Sequence, residues 1–86
     1  MIQRISEPVS VIASYNAATR AVRPVELTWS SRTYPVIQVG LRHTYREGIT
    51  RHHIFSVVSH HLFFRLNLNA DNLSWTLEEV SDGLPD

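Results

Sequence analysis

Residues Trp29–Val36, W-S-S-R-T-Y-P-V, hold the pattern that decides the fold. Just upstream, Val25, Leu27 and Trp29 alternate with Glu26, Thr28 and Ser30, and Tyr34 and Val36 continue the alternation downstream. A period of two sends one set of side chains to a core and the other to solvent. Ser30 and Ser31 can turn the chain between the two runs, so the stretch predicts a β-hairpin of Val25–Trp29 against Arg32–Val36. Similar short segments occupy most of the remaining chain. They predict an all-β fold of five or six antiparallel strands in meander order, closing into an SH3-like or partly open barrel.

Working outward, Ser6 to Ala13 puts Val9 and Val11 on one side and Ser10 and Ile12 on the other, with Pro8 suited to an edge strand. Residues 14–24, S-Y-N-A-A-T-R-A-V-R-P, show no clear period and predict a loop closed by Pro24. Beyond the hairpin the apolar parity changes from Tyr34 and Val36 to Val39 and Leu41, which asks for a bulge or bend near Ile37 and Gln38. For the next hairpin, a three-residue loop of Glu47, Gly48 and Ile49 pairs Leu41 with Phe55 and Val39 with Val57. A two-residue turn at Glu47 and Gly48 splits that apolar set, so the longer loop is expected. After a turn at Ser59 and His60, Leu62, Phe64, Leu66 and Leu68 give the cleanest strand. The run N-A-D-N at 69–72 is turn chemistry, and Leu73, Trp75 and Leu77 resume the inward parity. Val80 closes the fold, with residues 82–86 a loose acidic tail.

The 86 residues suffice for one domain and one core. With 43% hydrophobic and 19% charged residues, the chain is not of disordered composition. There is no cysteine, so packing rather than disulfides must stabilise it. No segment nears the roughly 20 apolar residues of a spanning helix, and no basic flank precedes an apolar stretch at the N-terminus; a cytoplasmic protein without membrane contact is expected. Formal net charge is zero, but seven arginines fall between Arg20 and Arg65 against Glu26 and Glu47, while Glu78, Glu79, Asp82 and Asp86 crowd the C-terminus. All eight basic residues are arginine, which excludes Schiff-base chemistry and a phosphate-loop lysine.

Glu7-Pro8-Val9, then Trp29, Arg32, Tyr34 and Val36, then Phe64 with Leu66, and finally Trp75, Leu77, Val80 and Asp82 resemble a small bacterial domain of unknown function. Its pattern reads P-V-x-V, W-x-G-R-x-Y-x-V and a closing W-x-L-x-x-V-x-D. Ser31 stands here where that pattern has glycine, and the second aromatic is Tyr45 where a tryptophan is usual. Members of that family stand alone or are attached to translesion-type DNA polymerases. The resemblance implies a DNA-repair or replication context and supplies no catalytic residues.

Several constellations compete with plain structural roles. In the expected register His43 faces His53, a possible start of a zinc site, yet a catalytic zinc needs three protein ligands and no third is evident. Solvated histidines at the barrel mouth are the simpler reading, and no metal or cofactor is expected. In the same register Tyr45 faces Arg51, with Arg42 and Arg46 on the reverse of the hairpin. Arg42, His43, Tyr45, Arg46, Arg51 and His53 thus form the candidate binding hairpin. Phe63, outward on its strand, and Ile54 offer an apolar surface for a partner or for self-association. Trp29 and Trp75 are expected in the core, where Trp75→Ala would cost about 3–5 kcal/mol. Ser56, Ser59 and Ser74 lack a nucleophile elbow, and Glu78 and Glu79 are expected on opposite faces, so no enzyme is expected. The leading reading is a non-catalytic module for a protein partner. Single-stranded nucleic-acid binding through Tyr45, Arg42, Arg46 and Arg51 is the alternative, and a histidine-based metal-dependent hydrolase a weaker one.

Overall fold

The computed structural model describes residues 1–83 and is all-β. Its strands are β1 (Ile2–Pro8), β2 (Ser10–Asn16), β3 (Ala21–Trp29), β4 (Arg32–Pro35), β5 (Gln38–Glu47), β6 (Thr50–Ser59), β7 (Leu62–Asn69) and β8 (Trp75–Ser81). Among the described residues they form two antiparallel sheets, ordered β1-β8-β7-β6-β5 and β2-β3-β4, and no closed barrel. The chain crosses between the sheets twice. At Val9 the backbone N–H donates to Trp75 O (3.1 Å), and at Val36 and Ile37 the N–H groups donate to Val25 O and Val58 O (2.8 Å each). The expected change of parity near Ile37 and Gln38 is therefore a change of sheet.

The Trp29–Val36 hairpin forms as read, with Trp29 opposite Arg32 and Leu27 opposite Tyr34. Ser30 and Ser31 both take left-handed φ values, 53° and 64°, as a two-residue type I′ turn requires. The predicted loop at 14–24 is instead hairpin. Ser14–Asn16 extend β2, Ala21–Pro24 open β3, and the Asn16 side-chain oxygen accepts from the N–H groups of Ala18 and Thr19 in the turn. No apolar period marks the stretch because residues 12–20 are exposed on both faces of the ribbon. The bulge comes after it, where Val25 has no partner on β2, so that Pro24 and Leu27 are both buried while Val25, expected on the side of Leu27, is exposed.

The core spans both sheets. Leu27, Phe55, Val57, Phe64, Leu66, Leu68, Leu77 and Val80 are buried together, and Val11, Tyr34, Trp29 and Trp75 pack around them. Phe64 lies against Tyr34 (4.9 Å between ring centroids) and edge-on to Trp29 (6.5 Å). The two tryptophans face the core but remain only partly buried; the Trp29 indole N–H reaches Glu7 Oε1 at 3.3 Å. Leu73 departs from the expected parity. It is exposed, with φ 61°, in the turn closed by Leu73 N–H to Asn69 O, and β8 begins two residues later. At the C-terminal end, Asp82 pairs with the Met1 amino group at 2.8 Å, and Gly83 packs against the Phe63 ring, where a Cβ would come within 2.8 Å. The remainder of the expected acidic tail, residues 84–86, lies outside the described residues.

A basic cleft and the polar network behind it

The β5–β6 hairpin differs from expectation by one residue, and that difference reassigns every side chain along its outer half. The turn is two residues, Gly48 and Ile49, between paired Glu47 and Thr50. Gly48 takes φ 61° at the first central position, the pattern of a type II′ turn that favours glycine. Further along, Gly40 and Leu41 together oppose Ser56 alone, and this bulge restores the expected pairing of Val39 with Val57. Between turn and bulge, Arg42 pairs with Phe55, Thr44 with His53 and Arg46 with Arg51. The expected pairs Leu41–Phe55, His43–His53 and Tyr45–Arg51 do not form, and Leu41 is 78% exposed.

Because Phe55 is a core residue, alternation places Arg51 and His53 of β6, and Arg42, Thr44 and Arg46 of β5, on the core face where the hairpin runs past the packed interior. The Arg42 guanidinium lies 5.8 Å from the Phe55 ring centroid, confirming that orientation. This face borders an open cleft of about 400 Å³ between β5 and the tip of the β2–β3 hairpin. Arg20, Ala21 and Val22 form one wall, Arg42, His43 and Thr44 the other, and Phe55 and Leu68 the floor. Among the described residues no carboxylate pairs with Arg20, Arg42, Arg46 or Arg51.

Tyr45 and His52 face the other way. Their rings stack, centroids 4.8 Å apart and 8° from parallel. Asn67, 8% exposed, ties them to β8: its amide nitrogen donates to Tyr45 OH (3.2 Å) and to Glu78 Oε2 (2.8 Å). With both amide protons committed, its carbonyl oxygen is left as an acceptor, so His52 Nδ1, 3.0 Å away, is the donor. His52 Nε2 then faces Glu47 Oε1 at 3.8 Å. A bulge at Glu78 in β8 brings both acidic neighbours to one arginine: Arg65 Nε lies 3.4 Å from Glu78 Oε1 and Arg65 Nη1 4.0 Å from Glu79 Oε2. Glu78 and Glu79 therefore share a face, against expectation. A carboxylate already shared between Asn67 and Arg65 serves the scaffold.

Of the candidate residues, Arg42, His43 and His53 line the cleft, and Arg46 and Arg51 lie beyond it on the same face of the hairpin, toward its turn. Tyr45 belongs to the network behind. Phe63, 46% exposed, lies in a separate groove with Ile2 and Val58. Ile54, expected as part of an apolar partner surface, is 2% exposed between His43 and Asn67. His43 and His53 occupy opposite faces, which undoes the proposed start of a zinc site, and among the described residues no three potential ligands gather for a metal. Arg20 was missed on the sequence because its segment read as loop; the signal was Asn16, whose side chain organises a tight turn before it. Comparison with known proteins finds no matching family model, no matching curated protein and no matching solved structure.

Proposed function

We propose that this chain is a non-catalytic interaction module that binds a protein partner through the cleft between β5 and the β2–β3 hairpin. Its setting is the DNA-repair or replication machinery that the family resemblance suggests, in the cytoplasm. The observation that carries the reading is Arg20 and Arg42 on the two walls of the cleft, with Arg46 directly opposite Arg51 beyond it on the same face and, among the described residues, no carboxylate paired to any of the four. Like charges opposed across strands oppose folding, and local rules are broken where function requires it. An anionic partner supplies the missing countercharge.

The meander order, with two long strands each bent from one sheet into the other, is read as a partly open relative of the SH3-like barrel. That architecture hosts many functions and selects none by itself. Single-stranded nucleic acid is the second reading, since the same arginines suit phosphates. It loses weight because Tyr45, the base-stacking residue it invoked, is stacked on His52 on the opposite face. Zero net charge also removes long-range attraction to a polyanion.

The test is fluorescence anisotropy with two labelled probes, a ten-residue peptide alternating glutamate and threonine, and an oligothymidylate of equal charge. The peptide is expected to bind, to weaken with salt, and to lose about tenfold or more in affinity on Arg51→Glu. Binding of the oligonucleotide alone would overturn the protein-partner reading.

A further inference from the structure

We infer that the partner enters this cleft as an added β-strand, an extended acidic segment whose backbone pairs with the open edge of β5. The inference rests on the protein-partner reading and specifies how the partner is held. β5 pairs with β6 along one side only; from Arg42 to Glu47 its other side has no backbone partner among the described residues. The start of β3 is open in the same way. β4 reaches only Glu26–Trp29, so Ala21, Val22 and Arg23 pair with β2 alone. Both open edges border one cleft, with Ala21 and Val22 on one wall and Arg42 and Thr44 on the other.

Unpaired N–H and C=O groups along a strand edge are a template for another extended polypeptide. A sugar–phosphate backbone has no alternating amide donors and carbonyl acceptors to fill it, which favours a peptide over nucleic acid. Alternation specifies the side chains. Arg42 and Arg46 are four residues apart on the cleft side of β5, so a strand laid along this edge places its own residues i and i+4 beside them. Acidic residues at those positions meet both guanidinium groups, with Arg51 and His53 one strand further in.

The charge pattern also argues against a second copy of this chain as the occupant. Two β5 edges paired antiparallel about Thr44 would set Arg42 of each against Arg46 of the other. That like-charge contact acts as a guard against self-pairing. A partner carrying acidic side chains at alternate positions turns the same feature into an attraction.

The experiment uses the whole chain and the glutamate–threonine peptide, together with two isomers N-methylated at all odd or all even positions. Anisotropy measures affinity, and amide hydrogen exchange maps protection. The inference predicts that the unmethylated peptide binds, that at least one methylated isomer binds about tenfold more weakly or worse, and that amides in 42–47 become protected. Equal binding of all three peptides without new protection in β5 would overturn strand addition while leaving a peptide-binding cleft in place. Absence of peptide binding would overturn both. Arg46→Glu is the control on charge: loss of peptide affinity in a variant whose own amides are at least as protected as those of the parent supports the inference, and retained affinity contradicts it.

Discussion

Tyr45 stacks on His52 with ring centroids 4.8 Å apart, and the pair lies on the face of the hairpin opposite Arg51. That relationship divides the hairpin by task. One face is a polar network linked through Asn67 and Glu78; the other presents arginines that, among the described residues, are left without carboxylates. The first holds β5, β6, β7 and β8 in register, and the second is available to a ligand.

Removing the hub of the network should therefore affect stability and not the cleft. Asn67→Ala leaves Glu78, His52 and Tyr45 each short of a partner, at a cost of about 1–3 kcal/mol. A lowered urea midpoint with peptide affinity retained below the transition checks this. An unchanged midpoint would mean that water replaces the amide.

Arg46→Glu should move stability and binding in opposite directions. It converts a like-charge cross-strand pair into an opposite-charge pair, a gain of about 0.2–1 kcal/mol, while removing a cation from the cleft-side face of β5. A variant that melts higher and binds the acidic peptide more weakly cannot owe its loss to unfolding. A less stable variant would mean that the Arg46–Arg51 contact is not repulsive.

The outward and inward leucines differ in a measurable way. Leu66 and Leu77 are fully buried, so truncation of either to alanine should cost about 2–5 kcal/mol and come close to unfolding a domain of this size. Leu73→Ala, at an exposed turn position, should stay within about 0.5 kcal/mol. Thermal melts of the three variants decide whether core and turn are assigned correctly.

Ser31→Gly should stabilise the chain. Serine at φ 64° bears a left-handed penalty of about 1–2 kcal/mol, which outweighs the roughly 0.4–1 kcal/mol of added unfolded-state freedom that glycine brings. A net gain of about 0.5–1 kcal/mol in denaturant unfolding is expected, and a loss would show that the Ser31 side chain makes a compensating contact.

Much of this architecture was readable where alternation runs unbroken. The hairpin from Glu26 to Pro35 and the strand from Leu62 to Leu68 need only the period of two and, for the first, a pair of turn residues. The two changes of sheet and the bulges at Val25, Gly40–Leu41 and Glu78 left weaker traces, because an inserted residue alters pairing without altering composition. The site suffered most. A one-residue slip turns each side chain to the other face, so the pattern alone pairs Tyr45 with Arg51 although they lie on opposite faces, and it sets Arg42 and Arg46 on the reverse of the hairpin although both lie on the cleft side. Glu78 and Glu79 show the same effect in reverse: neighbours in sequence reach one arginine because a bulge keeps them on a common face.

The central claim is that the partner binds at the arginine-lined cleft and not at the apolar groove around Phe63. Titration of isotopically labelled protein with the acidic peptide, followed by amide chemical shifts, tests it most directly. The account predicts saturable shifts concentrated in residues 20–23, 42–47 and 51–55, with Ile2, Val58 and Phe63 unmoved. Shifts centred on Ile2, Val58 and Phe63, or none at all, would contradict it.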